Sequence, residues 1–460
     1  MVTRHRTAKR GGAQGTDGPS RPVRITANTP HGECSERLTA FGGLLALVKF
    51  LDLVQFEAAF RQHYVLPKRA PKLGDYRMVL GLLMLLFIGF QRLGHFAYVR
   101  ADPMVCGVLR VALLPAVTTF WRYLTSLTIV QSAALLRLGA ALRATVWALC
   151  AYRPTRVTVN IDTTVSTVYG AIEGARKGHN TKHRGKKGLR PVLCFLAETK
   201  EYLCGSQRRG ETITMKEVAR QIRQFRALLP AHVRQVRGHG AGEFIGWESV
   251  AACLAERFEF TFGNRRCAPA FPAAGWYRHG AYEYNEAVYR PQAWEVPCRF
   301  VVMRIPKDQA GERRLPLLEG EQYLYRVFVT NLPGRPHTVI ADYDQRAAVE
   351  PLIGEAQREG VLAIPSKRFQ AHHAFFQVVM LAYNLWRWMK LLAGHAARQA
   401  QQGTPVPEPQ QIALPDHTLR IARLKCSTWR RRSGFTTIAM RYCTRSPSSA
   451  PPASGTSSTT

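Results

Sequence analysis

The chemistry that this sequence offers begins at Asp162, an acidic residue inside an apolar and β-branched segment. Residues 156–165 read RVTVNIDTTV, a pattern that predicts a buried strand running into the aspartate. A carboxylate at such a place is costly unless a metal ion or a cation compensates its charge. Asp162 is therefore a candidate metal ligand, although an aspartate that caps a helix or begins a turn would give the same local pattern.

A dense group of cations follows this predicted strand. Seven basic residues and no acidic residue lie between positions 176 and 190, and glycines separate them. A flexible basic loop of this kind can follow a phosphate backbone closely, so we expect it to contact DNA. A solvated surface loop is the alternative. The seven residues are Arg176, Lys177, Lys182, Arg184, Lys186, Lys187 and Arg190.

A third group of candidate residues lies near the other end of the chain. Tyr343, Arg346 and Glu350 are spaced at i, i+3 and i+7, so on a helix they share one face. Such a face can present a carboxylate to a metal ion and a guanidinium to a phosphate. An ordinary surface ion pair is the alternative, and Pro351 is expected to kink the helix.

Together these features resemble the insertion-sequence transposases of the DDE class that carry the Tyr-x2-Arg-x3-Glu signature. Asp162 in VNIDTTV matches the first catalytic strand of that family, and the spacing of Tyr343, Arg346 and Glu350 matches the signature. The resemblance covers about residues 41–393. Further segments that carry it are GHFAYVRADP (94–103), LPAVTTFWRYL (114–124), TVYGAIEGARKGHNTKHRGKKGLRPVLCFLAET (167–199) and GEFIGWESVAACL (242–254).

The resemblance implies a fold, a reaction and a set of partners. The fold would be α/β, with a ribonuclease-H-like mixed sheet, a β-rich insertion and an N-terminal all-α domain. Asp162 and Glu350 would ligate two Mg²⁺ ions, which Mn²⁺ can replace, for DNA strand cleavage and strand transfer. Tyr343 and Arg346 would hold phosphate beside the scissile bond. The partners would be double-stranded DNA, at the element ends and at the target, and further copies of the chain.

One departure from the family pattern concerns the second catalytic aspartate. Counting back from Glu243 in RGHGAGEF, that position is occupied by Ala241, which has no oxygen to bind a metal ion. A two-residue insertion would put His239 there instead, and Glu243 is a possible substitute ligand. Gln357 also stands where the family often has lysine. This copy is therefore either an inactive DNA-binding protein or an enzyme with an altered site.

The elements that must position these residues fall into six segments. Residues 1–36 form a basic arm, and 37–152 form a helical DNA-binding region in which Thr118 or Thr119 caps a helix that exposes Arg122. Residues 153–264 are the first part of the core, 265–332 the β-rich insertion, and 333–400 the second part with the catalytic-glutamate helix. Residues 401–460 form an irregular basic tail, which we interpret as frameshifted.

Composition limits the classes of function. Lys and Arg number 64 against 31 Asp and Glu, a formal net charge of +33 that favours a polyanionic partner. The most apolar run, residues 79–90, is too short to span a bilayer, which needs about 20 residues. None of the ten cysteines forms a Cys-x-x-Cys pair. We therefore expect free thiols and a bacterial cytoplasmic, nucleoid-associated protein rather than a membrane protein.

Overall fold

The structure, a computed structural model, describes residues 39–67, 70–178, 180, 183–264, 269–309, 318–319 and 322–401. Lys182 and the basic arm at 1–36 lie outside the described residues. So does the tail beyond residue 401, and with it the interpretation of a frameshift.

Helices fill the described chain up to residue 149. Asp102 caps the helix that begins at Pro103, and its carboxylate accepts hydrogen bonds from the backbone N–H groups of Met104 and Val105. The helix that exposes Arg122 begins at Val117, after an Ala116 N-cap that makes no side-chain bond, so the expected Thr118 or Thr119 cap is wrong. The helices are α1 (Leu44–Leu53), α2 (Phe56–His63), α3 (Asp75–Phe87), α4 (Phe96–Val99), α5 (Pro103–Leu109), α6 (Val117–Ser126) and α7 (Ile129–Leu149).

The core that follows is a mixed sheet in the order β6-β5-β1-β7-β8. β1, β5 and β6 form an antiparallel meander, whereas β7 and β8 run parallel to β1. This order confirms the predicted ribonuclease-H-like α/β core. Its elements are β1 (Arg156–Thr163), β5 (Val192–Leu196), β6 (Tyr202–Ser206), α8 (Met215–Leu228), β7 (Gln235–Gly240), α9 (Trp247–Ala255) and β8 (Glu259–Asn264).

The predicted β-rich insertion continues the core sheet. Its long strand β13 pairs antiparallel with β8, and the order then runs β13-β11-β10-β9. The sheet thus extends from the core into the insertion without a break in pairing. The strands are β9 (Tyr277–His279), β10 (Tyr282–Tyr289), β11 (Cys298–Pro306), β12 (Leu318–Glu319) and β13 (Tyr323–Thr330).

Three helices return the chain to the core: α10 (Pro336–Asp344), α11 (Val349–Ala356) and α12 (Phe369–Gln401). α12 covers the edge strand β6, where the Asn384 side chain accepts a bond from the Tyr202 N–H and donates one to the Tyr202 carbonyl. A covered edge cannot pair with another chain.

A buried carboxylate joins α7 and α12 to this edge. Glu201 accepts hydrogen bonds from Arg143 Nε at 2.9 Å, from Trp147 Nε1 at 2.8 Å and from Trp388 Nε1 at 2.6 Å. Arg143 also donates to the carbonyls of Leu228 and Tyr202. This cluster fixes the N-terminal helices on the sheet that carries Asp162.

Among the described residues one helix, α7, is long and apolar enough to cross a bilayer, by length and composition alone. Half of its most apolar window is buried inside the structure, and Arg143 on it pairs with Glu201. These contacts are those of a core helix. The six cysteines within the described residues are free thiols.

Candidate active site

Asp162 is the second-to-last residue of β1, at the strand end that the sequence predicts. Its Oδ1 accepts a hydrogen bond from the Thr163 N–H at 2.8 Å, and its Oδ2 lies 3.1 Å from Arg346 Nη2. Burial raises the pKa of this carboxyl group, and the charges of Glu243 and Glu350 raise it further, whereas Arg346 lowers it. The acid is thus half-buried and compensated by a guanidinium.

The register of β1 and β7 fixes the position of Ala241. Ile161 pairs with Gly240 in parallel register, so the next residues, Asp162 and Ala241, are neighbours at the carboxyl ends of the two strands. Gly240 is packed so closely that a Cβ atom there would lie 2.7 Å from the Phe262 ring. β7 ends at Gly240, so Ala241 directly follows the strand at the site.

His239 lies on β7, two residues before Ala241. It pairs with Asn160 on β1 and Thr261 on β8, and both ladders continue to Gly240 without an irregularity. Its side chain is buried, and its Nε2 lies 3.1 Å from Oδ2 of Asp342 on α10. His239 is thus engaged with α10.

Glu243 lies in the site but is already engaged. Thr163 Oγ1 donates to Glu243 Oε1 at 2.6 Å, and Arg190 forms an ion pair with Oε2. Arg190 also donates to Thr163 Oγ1 at 3.3 Å. Arg190 is buried, so this member of the predicted basic loop holds the site together from within instead of facing solvent.

Tyr343, near the end of α10, and Arg346, in the 3₁₀ turn that follows, both form hydrogen bonds to the two central strands. The Tyr343 hydroxyl donates to the Gly240 carbonyl at 3.1 Å, and Arg346 Nη2 donates to the Ile161 carbonyl at 3.2 Å. Both acceptors belong to the same cross-strand pair of β1 and β7. The signature residues thus clamp the strand ends at the point where the catalytic carboxylates are expected.

Glu350 is exposed near the start of α11, after a 3₁₀ turn at Gln345–Ala348. Pro351 lies in the first turn of α11, where a missing N–H costs no helical hydrogen bond. The run from α10 to α11 is thus not one regular α-helix, because it changes to a 3₁₀ turn just before the proline. Gln357, in the place of the family lysine, donates to Thr164 Oγ1 at 2.6 Å.

The basic hairpin, residues 176–190, extends from the same end of β1. Its strands β3 (Arg176–Lys177) and β4 (Lys187–Leu189) form a small sheet with β2 (Ser166–Thr167). Arg176 lies 3.4 Å from Glu211, but four exposed cations have no ion-pair partner among the residues that the structure describes. These four are Lys177, Arg184, Lys186 and Lys187.

The residues present do not fit a pair of metal ions. Within the described ranges no three His, Cys, Asp or Glu side chains come together as a metal-binding group. Asp162 is paired with Arg346 and Glu243 with Arg190, while Ala241 supplies no oxygen. A pair of divalent cations would need more free carboxylate oxygens than these residues offer.

We expect Tyr343→Phe to lower the free energy of unfolding by about 1–2 kcal/mol, because it removes the buried hydroxyl donor from the Gly240 carbonyl. Denaturant unfolding measures the effect. Tyr98→Phe is the matched control, since Tyr98 is 75% exposed and should change stability by less than about 0.5 kcal/mol. Equal stabilities of the two variants would contradict the assigned hydrogen bond.

Sequence reasoning missed two groups that shape the site. One is the role of Arg190 as the internal partner of Glu243. The other is a network in which Asp342 accepts from Arg237 at 2.6 Å and lies against His239. The only available signal for the second was Asp342 itself, an acidic residue immediately before Tyr343 on a predicted helix.

The fold and the site define a ribonuclease-H-like protein with a strand-end aspartate and a helical clamp over it. The chain belongs to the transposase DDE domain family, group 1, whose model matches residues 26–404. The cryo-EM structure of the piggyBac transposase synaptic complex with hairpin DNA is similar, with 9% identity and a TM-score of 0.40. The similarity covers 86% of this chain and 82% of that chain. No curated protein matches the sequence.

Proposed function

We propose that this protein is an insertion-sequence transposase homologue that binds the DNA ends of its element but has lost strand cleavage. The observation that carries the proposal is the strand register, in which Ala241 is the neighbour of Asp162. Metal-dependent phosphoryl transfer needs carboxylate oxygens from several segments to hold the ions. A methyl group at this position removes one of them.

Charge distribution supports DNA as the partner. The basic hairpin offers four exposed cations, without an ion-pair partner in the described part of the chain, at the strand end that carries Asp162. The Glu173 N–H donates to the Lys367 carbonyl, and Glu173 Oε2 accepts from the Phe369 N–H at the start of α12. These two bonds attach the segment just before the hairpin to the start of α12, and the exposed cations of the hairpin suit contact with phosphates.

A second candidate function keeps the cleavage activity, with Glu243 as the replacement ligand. It is favoured by the contact between Glu243 and Thr163, the residue after Asp162. It requires Arg190 to release the carboxylate. If Glu243 is the replacement ligand, the unaltered protein should cleave DNA with a metal ion, and Glu243→Gln should abolish that cleavage. Our main proposal instead expects no cleavage by either protein.

The family also supports proposals about assembly and place. A homo-oligomer would hold two element ends together, and the protein would act in the bacterial cytoplasm, associated with the nucleoid. Sedimentation with and without duplex DNA tests the first of these, and fluorescence microscopy of a tagged chain tests the second.

The DNA-binding part of the proposal predicts a salt-dependent loss of affinity when the hairpin is altered. For Lys186→Ala/Lys187→Ala we expect the slope of log affinity against log salt to fall by about 2, since each phosphate contact contributes about 0.9. Gel shift or fluorescence anisotropy with a duplex of the element end measures it.

The matched control removes two cations from the opposite end of β1. Arg153 and Arg156 are exposed near the start of that strand, and Arg153→Ala/Arg156→Ala changes the net charge by the same amount. We expect this control to keep the original slope. Equal slopes for the two double variants would mean that the hairpin does not contact DNA. If the unaltered protein did not bind the duplex at all, the proposed function would be refuted.

A further inference from the structure

The helix α6 presents an outer face whose side chains suit contact with base edges. Successive exposed positions on it are spaced at i, i+3, i+4 and i+8, which is one face of an α-helix. Trp121 on this face is 44% exposed although it is a large apolar side chain. The face consists of Thr118, Trp121, Arg122 and Ser126, with the half-buried Thr125 beside them.

The inner face of α6 is held rigidly. The Phe120 ring stacks on Phe96 with centroids 3.8 Å apart and approaches α3 so closely that a Cβ atom at Gly81 would lie 3.1 Å from it. The Tyr123 hydroxyl lies 2.9 Å from that of Tyr64. A recognition element must be fixed in this way, because base contacts depend on precise orientation.

The chain segment that contains α6, residues 90–130, is positively charged. Between residues 90 and 130 the sole acidic residue is Asp102, and its carboxylate is engaged by Thr39 and by the backbone at the start of α5. Arg92, Arg100, Arg110 and Arg122 in the same span are exposed. A segment with four exposed cations and one engaged carboxylate is complementary to a polyanion.

We propose that α6 is the helix that reads DNA sequence, lying in the major groove with Arg122 against a base edge. The proposal rests on the proposed function, which supplies duplex DNA as the partner. Arginine donates two hydrogen bonds to guanine, and the threonine methyl groups suit contact with thymine. Thr118 and Thr125 are seven residues apart, about 10 Å along the helix axis. That length corresponds to about three base pairs at 3.4 Å each.

The test is a selection from duplexes with a randomised central segment, carried out with the full chain and with Arg122→Ala. We expect the unaltered protein to enrich a sequence with a preferred block of about three base pairs. Arg122→Ala should bind that duplex about 10- to 100-fold more weakly. Its affinity for a scrambled duplex should change by less than about 3-fold, since phosphate contacts supply that binding.

Two further variants keep the proposal falsifiable. Arg137→Ala removes an exposed arginine from α7 and should leave the enriched sequence unchanged. Trp121→Ala should weaken the preference for the same block of base pairs as Arg122→Ala does. Circular dichroism verifies that each variant is folded. Binding without any sequence preference, or an unchanged preference in both α6 variants, would overturn this inference and leave DNA binding intact. Absence of binding to every duplex would overturn the proposed function as well.

Discussion

Replacing Glu201 by alanine is expected to lower the free energy of unfolding by about 3–5 kcal/mol. The carboxylate is fully buried, and its partner Arg143 is 1% exposed. Without it a guanidinium stays buried and uncompensated, and the indole N–H groups of Trp147 and Trp388 lose their acceptor. The loss of one charged side chain therefore removes several hydrogen bonds in a medium where unpaired groups are costly.

Denaturant unfolding measures this effect, with an exposed ion pair as the matched control. Arg61 and Glu57 form such a pair one helical turn apart, with side chains 72% and 45% exposed. Glu57→Ala should cost less than about 1 kcal/mol because solvent screens the pair. A similarly small loss for Glu201→Ala would mean that the buried cluster does not join the N-terminal helices to the sheet.

Ala241→Asp is expected to create a protein that responds to divalent cations. The new carboxylate would stand beside Asp162 and add to the negative charge of Glu243 and Glu350. Without metal, repulsion between these like charges should lower the melting temperature. With Mg²⁺ or Mn²⁺ at about 100 times its dissociation constant, binding should restore about 2.7 kcal/mol.

The protein as it stands should show no specific rise in melting temperature with either cation. Ala241→Asn is the matched control, because it has nearly the size of aspartate without the charge. We expect it to respond to neither ion. A metal-dependent rise in the unaltered protein, equal to that of Ala241→Asp, would mean that the existing carboxylates already form a site.

The sequence was sufficient to predict the parts of this molecule that depend on local pattern. The β-branched alternation around Asp162 predicted β1, and the family resemblance predicted the mixed sheet. The start of α8 carries a further local signal, since its Thr214 cap and Glu217 form a capping box. Each of these features is encoded within a few residues of chain.

The parts that failed depend on contacts between distant residues. Arg190 looked like one more cation of a basic loop, but its partner Glu243 lies 53 residues further along the chain. Nothing near Glu201 in the sequence indicates its partner Arg143, which lies 58 residues earlier. The end of β7 is another such case, since glycines at 238 and 240 weaken a strand pattern that pairing on both sides stabilises.

The central claim, that the missing carboxylate at position 241 disables cleavage, is tested most directly by a strand-cleavage assay. The substrate is duplex DNA carrying the element's own end, with Mg²⁺ or Mn²⁺, and Ala241→Asp is compared with the unaltered protein. We predict cleavage by the aspartate variant alone, with a rate at least about a thousandfold above that of the unaltered chain. Equal metal-dependent cleavage by both proteins would contradict the account.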